Sequence, residues 1–307
     1  MNGNREEAPN GPANFPSEQS PERVLVSGAS GYIACHVVKQ LLESGNYVVR
    51  GTVRNLNNEK KVKPLQNLCT NAKYPLELAE AELLDERCWE RAIQNCQYVL
   101  HMASPFPAAN PQDETEIIEP AVEGTLNVLE ACAKANVRRV VLTSSIAAVS
   151  WSADHTTKDE FNEENWSVED QCSAYEKSKL LAEKAAWDFV KKLPDEKQFE
   201  LVVINPGLVY GPVLQGSSCT SMEIPKRLLE HRMIMLPRLH YGIVDVRDVA
   251  KAHISALTAP KAPGNRYIAV TGGMWVKDTA KILYEEFKPQ GYKVPVTVSP
   301  TIGIYMY

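Results

Sequence analysis

Two side chains four residues apart, Tyr175 and Lys179, carry the clearest chemical signal in the sequence. They fall in a stretch whose pattern predicts a helix over 173–192, and residues at this spacing project from one helix face. A tyrosine hydroxyl has an ordinary pKa of ~10, too high for easy proton exchange at neutral pH. A lysine ammonium beside it favours the phenolate, so such a pair can move a proton, although the same spacing also occurs on ordinary helix surfaces.

Ser145 closes a serine-rich end of the strand predicted over 139–143, about thirty residues before Tyr175. Ligands gather at the carboxyl ends of strands in open α/β sheets, so we expect Ser145 near the helical pair. The trio suits hydride transfer to a carbonyl. Tyr175 would protonate the carbonyl oxygen as hydride arrives, and Ser145 would hold that oxygen by a hydrogen bond. Lys179 would also orient ribose hydroxyls.

A turn suited to a dinucleotide lies near the start of the chain. Gly28, Gly31 and Ala34 stand three apart, between a short apolar strand at 24–26 and a helix with apolar residues at helical spacing. The first glycine permits a tight turn, the second lets backbone approach a pyrophosphate, and the alanine lets the helix press on the strand. The helix N-terminus offers N–H groups to anionic oxygens. A plain strand–turn–helix unit is the alternative.

The end of the second strand bears on which dinucleotide binds. NAD-binding domains commonly place an acidic residue there to accept from the ribose 2′-hydroxyl. This chain has Arg54 instead, with Lys60 and Lys61 about one helical turn further on. A guanidinium can bind a 2′-phosphate bidentately, so the pattern favours NADP over NAD. A solvated strand-end arginine is the alternative.

Strands alternate with helices of crossover length along the first two thirds of the chain. The predicted strands are 24–26, 47–54, 76–83, 98–103, 139–143 and 201–204, and the predicted longer helices include 114–135 and 173–192. This alternation predicts an α/β fold with a Rossmann-type, doubly wound parallel sheet. The alternation fails beyond residue 207, which indicates a smaller, interleaved substrate-binding part. The expected units are a disordered tail (1–21), an NADP-binding Rossmann domain (22–207) and a mainly substrate-binding part (208–307), with 244–257 returning to the Rossmann domain.

Composition narrows the class of protein. The chain has 307 residues, 44% of them hydrophobic and 23% charged, as in ordinary soluble globular proteins. A net charge of -5 gives no electrostatic argument for nucleic acid or an anionic membrane, and no apolar run reaches the ~18 residues that span a bilayer. Seven cysteines without a C-x-x-C pair are typical of reduced thiols in a cytoplasmic protein and predict no metal site.

The ordered set of motifs resembles the extended short-chain dehydrogenase/reductase superfamily. Within it, the chain is similar to the branch of dihydroflavonol reductases, cinnamoyl-CoA reductases and fungal ketone/methylglyoxal reductases. The resemblance runs from about residue 23 to residue 284. It rests on VSGASGYI (26–33), GTVR (51–54), HMASPF (101–106), VVLTSS (140–145), AYEKSK (174–179), AEKAAW (182–187), NPGLVYGP (205–212) and VDVRDVAKAH (244–253).

The resemblance implies roles for individual residues. It places Ser145, Tyr175 and Lys179 on the catalytic trio of the superfamily. The implied cofactor contacts are Gly28, Ser30, Gly31, Tyr32, Ile33, Arg54, Lys61, Glu82, Leu83, Ala103, Ser104, Tyr175, Lys179, Pro206 and Val209. Glu82 stands where the family often has aspartate, so the carboxylate is kept on a longer arm.

The expected function is an NADPH-dependent reductase of aldehydes and ketones, reversible as an alcohol dehydrogenase, with a small carbonyl or alcohol as its partner. A hydroxysteroid dehydrogenase, a sugar-nucleotide epimerase and a non-catalytic NADP-binding protein are the alternatives. Substrate identity and oligomeric state stay open. Candidates for an apolar substrate pocket, each of which could equally be a packing residue, are Phe106, Trp151, Tyr210, Met222 and Met233.

The C-terminal segment differs from the expected family pattern. Members of that branch continue for several tens of residues past the helix predicted near 278–287. Here the chain runs through 293–307 as an apolar, unpatterned segment, which suggests a truncated ending. An under-packed substrate part would leave cofactor binding intact and weaken reduction.

Overall fold

The computed structural model describes residues 21–105, 113–151, 160–214 and 220–299. The strands are β1 (Arg23–Val26), β2 (Val48–Val53), β3 (Glu77–Glu80), β4 (Tyr98–His101), β5 (Arg139–Thr143), β6 (Glu200–Pro206), β7 (Leu208–Tyr210), β8 (His240–Asp245), β9 (Arg266–Ala269) and β10 (Gly272–Trp275). The helices are α1 (Tyr32–Ser44), α2 (Glu59–Gln66), α3 (Glu86–Ile93), α4 (Thr115–Lys134), α5 (Ala174–Lys192), α6 (Glu223–Leu229), α7 (Val246–Ala256) and α8 (Val276–Phe287).

Seven parallel strands form the main sheet, in the order β3-β2-β1-β4-β5-β6-β9. β1 is an interior strand between β2 and β4, where Val24 pairs in register with Val49 on one side and Tyr98 on the other. Short apolar strands form here because helices cover both faces of a parallel sheet. The predicted Rossmann-type α/β fold is confirmed.

The side chains of β1 show how the two helical layers are filled. Val24 and Val26 pack on one face with α1, α2 and α7, whereas Leu25 points to the other face and packs with α3, α4 and α5. Successive strand residues point to opposite faces, so one three-residue apolar run serves two cores. α7 thus shares a core with α1.

Local signals end the helices where the chain must turn back to the sheet. Gly45 takes a left-handed conformation (φ +63°) after α1, and its N–H donates to the Leu42 carbonyl. Asp85 and Asp245 begin α3 and α7 by accepting hydrogen bonds from backbone N–H groups in the first turn. These caps hold the crossover helices beside the sheet.

The chain beyond residue 207 contains strands that the sequence analysis did not predict. β9 adds a seventh strand to the main sheet, parallel to β6, and β7, β8 and β10 form a second sheet in the order β10-β8-β7. These strands have three to six residues, too few for a period to stand out from neighbouring loops. A small core of Leu228, Met233, Leu236, Val276, Ala280 and Val294 joins α6 to α8.

Other predicted boundaries moved by a few residues. β3 and β4 end earlier than predicted, at Glu80 and His101, and β6 extends to Pro206. The division into domains stays a prediction, and residues 1–20, Phe106 and 300–307 lie outside the described residues. In the described part of the chain, no helix is both long enough and apolar enough to cross a bilayer.

Candidate functional site

The turn after β1 is built around Gly28. Its backbone is left-handed (φ +61°), and a Cβ at this position would lie 3.1 Å from the Cα of Ala103 on the loop after β4. A side chain would therefore be both strained and crowded, so glycine is required. The Gly28 N–H donates to Thr52 Oγ1 at 3.0 Å, which ties the turn to β2.

The N-terminus of α1 opens directly beside this turn. Gly31 is the N-cap residue and has no side chain that could accept from the first-turn N–H groups, and that turn contains no acidic residue. Such an end suits an anion because its N–H groups and the helix dipole both favour negative charge. Ser30 is half-buried at the turn, Ile33 packs against the core, and the Tyr32 hydroxyl donates to the Gly211 carbonyl at 2.9 Å.

Two of the predicted phosphate contacts flank this region. Arg54 directly follows β2 and is exposed, and within the described ranges no carboxylate forms an ion pair with it. Lys61 is half-buried on α2. Burial raises the pKa of the Cys35 thiol in α1 to about 12, although the charge of Lys61 opposes that shift. Lys61 is thus close enough to the first turns of α1 to act on Cys35. Lys60 is exposed.

A buried pair under the turn, Ser27 and His101, was missed by the sequence analysis. Ser27 Oγ lies 2.9 Å from His101 Nδ1 and accepts from the N–H groups of Met102 and Ala103 at 2.8 and 2.9 Å. Because the hydroxyl already accepts twice, its proton points to Nδ1, and the imidazole carries its own proton on Nε2. Burial, helped by the charge of Lys179, lowers the pKa of His101 to about 3. The neutral ring fixes the loop after β4.

The structure brings Ser145, Tyr175 and Lys179 to the same edge of the sheet. Ser145 follows β5, and its Oγ accepts from the Ala147 N–H at 3.1 Å in a short 3-10 turn against which α5 packs. Lys179 Nζ lies 5.8 Å from the centre of the Tyr175 ring and donates to Ser104 Oγ at 2.8 Å. Burial lowers the pKa of Lys179 to about 8, so the ammonium form still prevails at neutral pH.

Loop residues after β3 are held by the neighbouring helices. Glu82 is exposed and its carboxylate accepts from the Leu83 N–H at 3.0 Å. The Leu83 carbonyl accepts from Asn127 Nδ2 on α4 at 3.0 Å and from Trp89 Nε1 on α3 at 3.3 Å. At the other side of the site, Pro206 ends β6 and Val209 is buried in β7.

The predicted site residues therefore follow the strands one by one along a single edge. In spatial order, Glu82 comes after β3, Arg54 after β2, Gly28 after β1, Ala103 after β4, Ser145 after β5 and Pro206 at the end of β6. A row that crosses six strands fits an extended ligand at the carboxyl edge, where α/β sheets bind dinucleotides.

The predicted pocket residues have different surroundings. Met233 is buried in the small core between α6 and α8, so it is a packing residue. Trp151 Nε1 donates to the Gln171 carbonyl at 2.9 Å, and burial raises the pKa of Tyr210 to about 12. Met222 is half-buried before α6, and Phe106 lies outside the described residues.

The chain is similar to a known protein family and to named relatives. The model of the NAD dependent epimerase/dehydratase family matches residues 24–270. A cinnamoyl-CoA reductase (CAD2) of Medicago truncatula is 42% identical over 268 residues, which cover 85% of this chain and 80% of the relative.

Solved structures agree with that relationship. The Gre2 protein of Candida albicans, solved in complex with NADPH, superposes with a TM-score of 0.78 at 35% identity, covering 91% of this chain and 87% of the other. The yeast methylglyoxal/isovaleraldehyde reductase Gre2, also solved with NADPH, gives a TM-score of 0.77 at 34% identity, with 89% and 85% covered. This chain belongs to the NAD dependent epimerase/dehydratase family, and its predicted membership of the extended short-chain dehydrogenase/reductase superfamily is confirmed.

Proposed function

We propose that this member of the family is an NADPH-dependent reductase of aldehydes and ketones that can run in reverse as an alcohol dehydrogenase. The observation that carries the proposal is the meeting of Lys179, Ser104 and the Tyr175 ring at the edge where the glycine turn opens. The Candida and yeast structures with NADPH bear out the predicted cofactor.

The chain offers a partner for each part of NADPH. The turn at Gly28 and the uncapped N-terminus of α1 would hold the pyrophosphate. Arg54 and Lys61 would hold the 2′-phosphate, since a guanidinium and an ammonium both bind phosphate oxygens well. On the resemblance to the superfamily, Glu82 and Leu83 would lie beside the adenine, and Pro206 and Val209 beside the nicotinamide.

Reduction then needs a proton and a polarised carbonyl. NADPH, when bound, would supply the hydride for the carbonyl carbon. Tyr175 delivers the proton to the carbonyl oxygen, and Lys179 favours the phenolate that remains. Ser145 Oγ already accepts from the Ala147 N–H, so its own proton can be donated to the same oxygen. Ser104 Oγ accepts from the Lys179 ammonium and would help to hold it beside the bound cofactor.

The presence of Ser145, Tyr175 and Lys179 together also argues against a protein that only binds the cofactor. A binding protein needs the glycine turn and the phosphate contacts, but it has no use for a proton donor with a lysine beside it. The Medicago and yeast relatives named above carry reductase names, which favours reduction over epimerisation for this chain.

A substrate panel tests the proposal directly. The purified chain is mixed with NADPH and, in turn, an aliphatic aldehyde, an aromatic aldehyde, an α-dicarbonyl, a ketone and a hydroxycinnamoyl thioester, and loss of NADPH absorbance is followed. We expect turnover with at least one of the aldehydes, the α-dicarbonyl or the ketone, and much slower turnover with NADH; the thioester tests whether the substrate range is wider. Tight NADPH binding without turnover of any of them would overturn the reductase assignment.

A further inference from the structure

A fully buried carboxylate lies behind the candidate trio. Glu183 on α5 accepts hydrogen bonds from Arg266 Nε at 2.5 Å, Ser144 Oγ at 2.6 Å, Asn205 Nδ2 at 2.8 Å and Trp187 Nε1 at 3.3 Å. A carboxylate can only accept, so every one of these groups is oriented by the same side chain. Its charge is compensated by Arg266, which is also buried.

Arg266 extends the network to a further segment. Its Nη1 donates to the backbone carbonyls of Asn165 at 2.7 Å and Glu163 at 3.1 Å, and its guanidinium carbon lies 3.7 Å from the centre of the Trp166 ring. A planar guanidinium can make all these contacts at once, whereas an ammonium cannot. β9 is thereby joined to the stretch that leads into α5.

The groups held by Glu183 are immediate neighbours of the site. Ser144 precedes Ser145, and Asn205 precedes Pro206. Asn205 Nδ2 also donates to the Ser145 carbonyl at 3.1 Å, so one amide joins the carboxylate to the candidate serine. Glu183 itself lies four residues after Lys179, on the same face of α5.

We propose that Glu183 and Arg266 are positioning residues for the reduction. Through Ser144 and Asn205, they hold the ends of β5 and β6 in register with the helix that presents Tyr175. A buried ion pair is weak evidence for stability, because desolvation offsets much of its attraction. Its place between the three segments that carry the site favours a geometric role. This inference rests on the proposed function.

The chain contains a matched control at the opposite edge of the same sheet. Arg139 is as buried as Arg266, binds a glutamate (Glu200, 2.6 Å) and donates to two backbone carbonyls, those of Ala256 and Ala259. Arg266→Lys and Arg139→Lys therefore each replace a guanidinium that binds one glutamate and two backbone carbonyls. Both should lower the unfolding temperature, so stability alone does not separate them.

The test is single-turnover stopped flow with the NADPH complex of each variant and the best carbonyl from the panel. The amplitude reports the folded fraction, and the rate constant reports the geometry of hydride transfer. We expect Arg266→Lys to lower the rate constant by up to about 100-fold, because small displacements of reacting groups cost that much. Arg139→Lys should lower only the amplitude.

Asn205→Ala is a second test variant. It keeps the Glu183–Arg266 ion pair and removes the hydrogen bond to the Ser145 carbonyl. It decides the matter if Arg266→Lys does not fold, and we again expect a lower rate constant with little change in NADPH affinity. Wild-type rate constants in Arg266→Lys and Asn205→Ala would overturn this inference, and so would an equal fall of the rate constant in Arg139→Lys. The proposed function would stand in both cases. An inactive wild type would overturn the proposed function and this inference with it.

Discussion

The amino ends and the carboxyl ends of the parallel strands carry different chemical groups. These two sides of the main sheet are called here the amino edge and the carboxyl edge. At the amino edge, charged groups are paired with one another: Glu77 binds both Arg23 and Arg50, and Arg139 binds Glu200. At the carboxyl edge lie a glycine turn, hydroxyl groups and a neutral imidazole, with the Glu183–Arg266 pair buried behind them.

The edges also differ in what is left without a partner. Among the described residues, two buried side-chain atoms lack a hydrogen-bond partner, His101 Nε2 and Asn205 Oδ1, and both lie at the carboxyl edge. Arg54 is exposed there, and no carboxylate of the described residues forms an ion pair with it. An edge whose groups satisfy one another stabilises the fold, whereas an edge that keeps donors and acceptors available can bind. We therefore expect changes at the amino edge to affect stability and changes at the carboxyl edge to affect the proposed reduction.

Among changes at the carboxyl edge, Tyr175→Phe is expected to have the largest effect, a fall in kcat. Loss of the hydroxyl removes the proposed proton donor and should lower kcat by about two to four powers of ten, with NADPH affinity close to wild type. Steady-state turnover and a fluorescence titration measure the two quantities. Tyr98→Phe is the control, since its hydroxyl meets Arg138 at the amino edge (2.8 Å) and its loss should leave kcat unchanged. Retained turnover in Tyr175→Phe would mean that another group donates the proton.

Arg54→Asp is expected to invert cofactor preference. A carboxylate would accept from the ribose hydroxyls and repel a 2′-phosphate, which shifts the NADP/NAD balance by several kcal/mol at most. The ratio of kcat/KM for NADPH and NADH measures that shift. Arg138→Asp, an exposed change at the amino edge, should leave the ratio as it was. An unchanged ratio in Arg54→Asp would point to Lys60 or Lys61 as the phosphate contact.

The neutral histidines predict a loss of stability in acid. Burial lowers the pKa of His253, which lies 2.8 Å from Thr143 Oγ1, to about 4, and that of His101 to about 3, against an ordinary value of 6.5. Between these values the unfolded chain binds protons that the folded chain does not. The free energy of unfolding should therefore fall as pH drops from 6.5 towards 4, by up to about 1.4 kcal/mol per pH unit for each ring.

Urea unfolding across that pH range measures the slope. His253→Gln removes one titrating group, so its slope should be shallower than that of the wild type. Equal slopes for the two proteins would show that His253 is not the source.

The smallest effect is expected at the amino edge. Burial raises the pKa of Glu77, but hydrogen bonds from Arg23 and Arg50 outweigh burial and lower it overall. The pairs are partly exposed, so Glu77→Ala should reduce the free energy of unfolding by only about 1 kcal/mol. Turnover should not change. A clear fall in kcat without unfolding would contradict the division between the two edges.

The sequence alone determined the elements that have strong local signals. The predicted bounds of β5 coincide with the observed strand, and α5 begins one residue after its predicted start. The glycine turn, the tyrosine–lysine pair and the serine at the strand end could also be found, because each depends on residue type and short spacing. Their side chains meet at one edge since parallel strands all end there.

Only the tertiary structure decided which distant groups share a buried environment. Glu183 and Arg266 are far apart in the chain, and each looks like an ordinary surface charge in its own segment. The same holds for Ser27 with His101, whose partnership and neutral state depend on burial under the turn. β9 belongs to the main sheet because it pairs with β6. A four-residue segment is too short for its sequence pattern to predict that pairing. Hydrophobic period and turn residues report local conformation, whereas the partner of a buried polar group is set by packing between segments.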